Sequence, residues 1–334
     1  MKKNVIFALI TTSIMIEAAA PAEAAYVVRE GRLIKKQYAA KYSAEDHYDL
    51  GLKALEKKKW KKAIEQFKVL KVNYPESTLI PSSIFYLGVA YFQNNDIDMA
   101  NKHFIAYLNM PDHTTFFEKT WEFRYAVAEK LRKGAQKHLF GLEAMPKIVV
   151  DRSSALEIYD SLITALPGKE VAIKAMFSKG QLLEAMDDNV EAADVYNTII
   201  HKHPKHELAA ESFLAVARLY KKQSAKSANN FDVLQLAKIN AACFAKEFPK
   251  NPKTKEVNAF VADMEEDYAK NLYNTGKFYE KIKKPKASAL YYFRVLQQFP
   301  STTSAKDCNK RLDALHKEVA ELELHIDASE NPSA

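Results

Sequence analysis

The chain has 334 residues, 48% of them hydrophobic and 27% charged, with only eight glycines and a formal net charge of +7. A chain of this length buries a sizeable core, and its Ala, Leu, Lys and Glu content with few alternating apolar strings favours helix over strand. The moderate positive excess suits acidic protein faces or anionic head groups and argues against a nucleic-acid partner.

At the N-terminus, Lys2 and Lys3 precede an apolar run over residues 5–16, and Ala-Glu-Ala at 22–24 supplies a small-residue cleavage pattern. This predicts a signal peptide over residues 1–24, so the expected location lies outside the cytoplasm. The run is shorter than the roughly 20 apolar residues that cross a bilayer, and no later stretch reaches that length. Residues 25–43 read as an N-terminal extension, too short and irregular for a coiled coil. Ser43 with Asp46 marks the start of the first helix.

From there one punctuation recurs. Gly51, Gly180 and Gly276 are each followed 24 residues later by a proline, namely Pro75, Pro204 and Pro300. Between them stand Ala63 and Phe67, Ala192 and Tyr196, and Ser288 and Tyr292. Gly88 leads likewise to Ala100 and Phe104, then to Pro111 one residue early; Pro167 and Pro249 carry the same preceding spacings. The spacing predicts helical hairpins. Glycine lets the second helix approach, an aromatic fills the gap, and proline stops the second helix. A lone hairpin cannot bury its apolar face, so hairpins stack.

The motifs "IFYLGVAY" and "ANKHF" resemble the tetratricopeptide pattern, with the first-position tryptophan replaced throughout. The expected fold is all-α, a right-handed superhelix of about six hairpins. Repeats 1–3 occupy 44–168, with a loop insertion at 134–154, and repeats 4–6 occupy 173–302. A capping helix is expected over 303–325, with Leu312, Leu315, Val319 and Leu322 at helical spacing, and a disordered tail over 326–334. Trp60 is assigned to packing at the first hairpin bend. Cys243 and Cys308 lie about one repeat apart, too far for the Cα separation of about 7 Å that a bridge requires.

The order of the pieces resembles the BamD family of outer-membrane β-barrel assembly factors. The resemblance is carried by "KWKKAIEQFKVLKVNYPES", "LGVAYFQNNDIDMANKHFIAYL", the inserted "HLFGLEAMPKIVVDRSSALEIYDSLITALP" and the closing repeat at 268–302. It implies a periplasmic scaffold at the outer membrane, with a barrel-assembly membrane protein and unfolded outer-membrane proteins as partners. That family carries a lipidated cysteine after its signal; the start expected here, "AYVVREG", has none. Membrane contact is then expected to be indirect. The alternative is another periplasmic repeat adaptor, linked to murein or to the Tol-Pal system.

Two strips follow from the repeat positions. Tyr48, Leu52, Leu55, Phe85, Val89 and Phe92 form an apolar candidate groove for an extended peptide. Arg218, Lys221, Lys222, Lys277 and Lys281 form a candidate basic partner face. The histidines of "HKHPKH" (His201, His203, His206) straddle a helix end and read as a solvated turn rather than a metal site. No nucleophile, phosphate-loop or metalloprotease string occurs, so no catalytic residue, cofactor or metal is assigned and no enzyme is expected.

Overall fold

Proline pushes the residue before it out of the helical region, and four helices stop on this effect. Tyr74, Leu166, His203 and Phe299, each directly before a repeat-ending proline, adopt nearly the same cap conformation, with φ of −129° to −136° and ψ of 51° to 56°. Each donates its N–H to the carbonyl four residues back. The computed structural model describes residues 26–29, 32–111, 114–226 and 231–330; the expected signal peptide lies outside them.

Helices come in pairs: α1 (Ala44–Glu56) with α2 (Trp60–Asn73), α3 (Ile80–Gln93) with α4 (Ile97–Leu108), and α5 (Phe117–Arg132) with α6 (Ser153–Ala165). Next come α7 (Glu170–Ala185) with α8 (Asn189–Lys202), α9 (Glu207–Lys226) with α10 (Phe231–Glu247), and α11 (Thr254–Lys281) with α12 (Pro285–Gln298). A single helix, α13 (Thr303–Glu330), closes the series. It runs past the His325 end expected from sequence because the first residue unable to continue a helix is Pro332. Leu312 and Leu315 are buried with Tyr292, Val295 and Phe299 as anticipated; Val319 and Leu322 lie beyond the described side chains.

The chain forms two compact units. One holds the described residues up to Phe123 plus Lys137–Pro146, and the other holds Arg124–Gln136 and everything from Lys147 onward. The division falls inside α5, not between the third and fourth repeats. The first unit adds an antiparallel strand pair that composition did not announce, β1 (Tyr26–Arg29) and β2 (Arg32–Lys35), in register Tyr26 to Lys35. The following segment is tied to α2: Asn73 donates to the Tyr38 carbonyl at 2.7 Å and accepts from the Ala40 N–H. The insertion after α5 holds two more short strands, β3 (Gln136–His138) and β4 (Lys147–Val150).

In four of the six hairpins a glycine in the first helix is a steric necessity. A Cβ on Gly51, Gly88 or Gly180 would come within 2.6 to 2.7 Å of the ring of Phe67, Phe104 or Tyr196, and Gly276 meets Tyr292 in the same way. All four rings are fully buried. Seven residues after each of these glycines the backbone turns left-handed, at Lys58, Asn95, Asp187 and Lys283 (φ 54° to 63°). The next residue then donates back to a carbonyl five earlier, as in Lys59 to Ala54, Asp96 to Tyr91, Asp188 to Leu183 and Lys284 to Tyr279. This closes the first helix with a Schellman motif, usually built on glycine. Among the described residues the third hairpin uses one, Gly134 (φ 90°), with Ala135 donating to Lys130.

Two outcomes follow for the first unit. Gly88→Ala gains about 1 kcal/mol of helix propensity but forces the Phe104 ring against Phe123 and Phe85, so a net loss of about 1–2 kcal/mol is expected in urea unfolding. Lys58→Gly removes a left-handed side chain and raises stability by about 0.5–1 kcal/mol after the entropy of the freer unfolded chain is deducted. Unchanged or reversed midpoints would contradict both.

Candidate functional site

In the first unit, α1 and α3 carry the six residues of the candidate groove, but their roles divide. Phe85 is only 3% exposed. Its ring stacks on Phe116 at 4.3 Å with an interplanar angle of 3° and meets Tyr107, Phe104 and Phe123. Phe85 is therefore core and not groove lining, because Phe116 and Phe123 from the start of the third repeat fold over it. Tyr48, Leu52, Leu55, Val89 and Phe92 are half-buried. Tyr48 sets its edge against Phe67 and Tyr86, and burial followed by Tyr86 raises its phenol above the ordinary tyrosine range.

The same unit holds a feature that repeat spacing does not reveal. Residues 137–146 of the insertion are fastened to the helices at two points. His138 is 5% exposed; its backbone N–H donates to Asp98 at 3.0 Å and its Nδ1 lies 2.9 Å from the same carboxylate. Asp96 Oδ1 stands 3.4 Å from that Nδ1. Asp96 is the N-cap of α4 yet makes no side-chain cap bond. Asp96, Asp98 and His138 bring their ligand-type atoms within 4.8 Å of one another, a set that could hold a metal ion. However, Nδ1 is already engaged by Asp98, and a helix N-terminus favours carboxylates over cations. The arrangement accounts for itself as a pin for the loop.

The second point is Glu143, which accepts from Lys68 Nζ at 2.7 and 2.8 Å and from the Tyr91 hydroxyl at 2.9 Å. Burial alone would raise Glu143, but the hydrogen bonds from Lys68 and Tyr91 outweigh it and hold it below the usual carboxylate range. Beside it lies a cavity of about 350 Å³ lined by Tyr38, Lys61, Ile64, Lys68, Tyr91 and Glu143, among others. His103 stacks on Tyr91 with ring centroids 5.3 Å apart. Burial first, then Lys71, Lys68 and Lys102, push its imidazole down to about 3.

In the second unit the expected basic face is largely spoken for. Arg218 donates to Glu184 at 3.1 and 3.2 Å, Lys222 to Asp187 at 2.6 Å, and Lys221 pairs with Asp263. Lys226 adds a second contact to Asp187 at 2.9 Å, so Asp187 sits far below the usual carboxylate range through Lys222 first and Lys226 next. Lys277, 5.7 Å from the Tyr273 ring centroid, and Lys281 stay exposed. The sequence presented the cations; their acidic partners came from neighbouring repeats, which a single-helix reading omits.

A second polar pattern runs through this unit. Tyr196 donates to Glu184 at 2.7 Å, Tyr292 to Glu280 at 2.8 Å and Tyr159 to Glu129 at 2.6 Å. An arginine completes each set: Arg218, Arg311 and Arg132. Where the gap-filling aromatic is Phe67 or Phe104, the residue four after the glycine is instead Leu55 or Phe92. That pairing was available in the sequence as a correlated choice at two repeat positions. Elsewhere, His206 of the histidine cluster pairs with Glu170 at 2.8 Å. Cys243 is exposed and Cys308 buried, unbridged, with burial lifting the Cys308 thiol to about 11.

Comparison with known proteins places two segments. A family described as outer membrane lipoprotein, YfiO, matches residues 40–120, and a tetratricopeptide repeat family matches residues 174–206. No curated protein matches the chain. Among solved structures the chain is similar to a tetratricopeptide repeat protein from Parabacteroides merdae, at 13% identity over 82% of this chain and 98% of that one, with a TM-score of 0.36. It is also similar to a Rap protein complexed with competence and sporulation factor, at 14% identity, 81% and 76% coverage and a TM-score of 0.28.

A pH dependence follows from His103. In the unfolded chain it takes up a proton near 6.5, whereas in the fold it does so only near 3. The unfolded state therefore binds more protons in between, and stability falls as pH drops from about 6.5 towards 3. His103→Gln should flatten that part of the acid limb in denaturant titrations; an unchanged slope would contradict the assignment. The structure supports an all-α, repeat-built protein-interaction scaffold, similar to outer membrane lipoproteins of the YfiO family over residues 40–120.

Proposed function

We propose that the protein assists the assembly and insertion of outer-membrane β-barrel proteins, acting as a non-catalytic scaffold at the periplasmic side of the outer membrane. The observation that carries this reading is the YfiO match over residues 40–120, which covers α1 to α4 and enters α5. Those helices are the glycine–aromatic hairpins of the first unit. No helix among the described residues is long and apolar enough to cross a membrane.

The half-buried strip Tyr48, Leu52, Leu55, Val89 and Phe92 is the proposed contact for an extended apolar segment of an unfolded barrel protein. Its side chains are available without disturbing Phe85. Lys277 and Lys281, exposed at the end of α11, are the proposed contacts for carboxylates of a second partner. Extended peptides gain affinity from such strips when alternate side chains enter apolar hollows and the rest stay in water.

Affinity purification of the full chain from detergent-solubilised envelopes is expected to bring down a barrel-inserting membrane protein. Leu52→Glu with Val89→Glu should leave the circular dichroism unchanged and weaken binding of an aromatic-rich terminal strand peptide at least about tenfold, or 1.4 kcal/mol. Recovery of murein-bound or Tol-Pal components in place of a barrel inserter would refute the assembly role. Undiminished peptide binding by the folded variant would refute the strip.

A further inference from the structure

The pinned loop ends in an exposed apolar tip. Phe140 is 80% exposed, and Leu142 and Met145 are exposed as well. Phe140 has φ 57° and Gly141 φ 65°, two successive left-handed residues. The tip is ordered by its own backbone: Leu142 N–H donates to the Leu139 carbonyl, Met145 to Leu142, and Leu139 to Pro146 at 3.0 Å. His138 and Glu143, on either side of Phe140, fasten it to α4, α2 and α3. An aromatic residue in the left-handed region costs about 1–2 kcal/mol. Such strain persists only where its surroundings enforce it, and it concentrates at functional sites.

Around the Glu143 anchor the surface is crowded with cations. Lys68 pairs with Glu143, Lys61 lines the same cavity, and Lys71 and Lys102 lie close enough to act on each other's charge. Lys71 and Lys102 are both exposed there, and their like charges repel. An incoming carboxylate would relieve that repulsion.

We propose that loop 137–146 is a docking element: Phe140 enters an apolar pocket on a partner protein, and carboxylates on the pocket rim meet Lys61, Lys71 and Lys102. A buried aromatic anchor with a polar rim is the usual anatomy of an interaction hot spot. A lipid surface fits less well. Bilayer insertion is non-directional and gains nothing from a backbone that fixes one phenylalanine in the left-handed region, whereas a shaped pocket does. The proposal is independent of the barrel-assembly reading, since it concerns a different surface and does not specify the partner's task.

The test is photo-cross-linking in the cells that make the protein, using the full chain with p-benzoylphenylalanine in place of Phe140. The reference position is Phe293, which is 54% exposed. The expected result is one discrete protein adduct whose cross-linked peptide maps to a pocket bordered by Asp or Glu. Its yield should fall about tenfold when the chain also carries Lys71→Glu and Lys102→Glu. Should that pair unfold the chain, Lys102→Glu alone, on an exposed side chain, gives the same comparison. A phospholipid adduct, a protein adduct indifferent to the charge reversal, or a yield no higher than from Phe293 would each overturn the proposal.

Discussion

The contact between a helix glycine and the aromatic sixteen residues later sets the geometry of the repeats. Four times the second helix of a hairpin lays a buried ring into the notch of a missing side chain, at Gly51, Gly88, Gly180 and Gly276. The notch fixes both the approach of the helices and their register. With the register fixed, the left-handed turn seven residues after the glycine must be accepted even where Lys58, Asp187 or Lys283 stands at it. A strained turn at a constant position is what a dominant tertiary contact leaves behind, since propensity is the weaker term.

The chemistry at the edge of that contact separates two kinds of repeat. Phenylalanine repeats in the first unit carry Leu55 and Phe92 four residues after the glycine, and both belong to the half-buried strip. Tyrosine repeats in the second unit carry Glu184 and Glu280, whose carboxylates take the phenol proton donors and bind Arg218 and Arg311. Burial and then Glu184 hold the Tyr196 phenol well above its ordinary range. One hairpin design thus presents an apolar face in one unit and a neutralised, hydrogen-bonded face in the other.

What the sequence disclosed followed from local period. Glycine, small residue, aromatic and proline recur at constant spacing, so helix pairing and the stops before the repeat-ending prolines could be read directly, whereas the end of α13, with no such proline, could not. Contacts made across long separations could not. Lys68 and Glu143 are 75 residues apart and Asp98 and His138 are 40 apart, and neither pair has a counterpart in other repeats to betray it. Phe85 looked available because its helix position says surface; Phe116 and Phe123, in a different repeat, bury it. The cations of the second unit misled for the same reason, with Asp187, Glu184 and Asp263 arriving from other elements. The turn residues Lys58, Asn95, Asp187 and Lys283 share a backbone conformation but no chemistry, so no residue pattern marks them.

The repeat geometry depends on ring and notch acting as one unit. The most direct measurement is a double-mutant cycle on the full chain between Gly180→Ala and Tyr196→Leu, read by denaturant unfolding. If the ring fills the space the new methyl needs, the alanine costs stability beside Tyr196 and little or nothing beside leucine, giving a coupling of about 1–2 kcal/mol. Additive effects of the two substitutions, within about 0.5 kcal/mol, would mean that the glycine and the tyrosine contribute separately and that another contact sets the hairpin register.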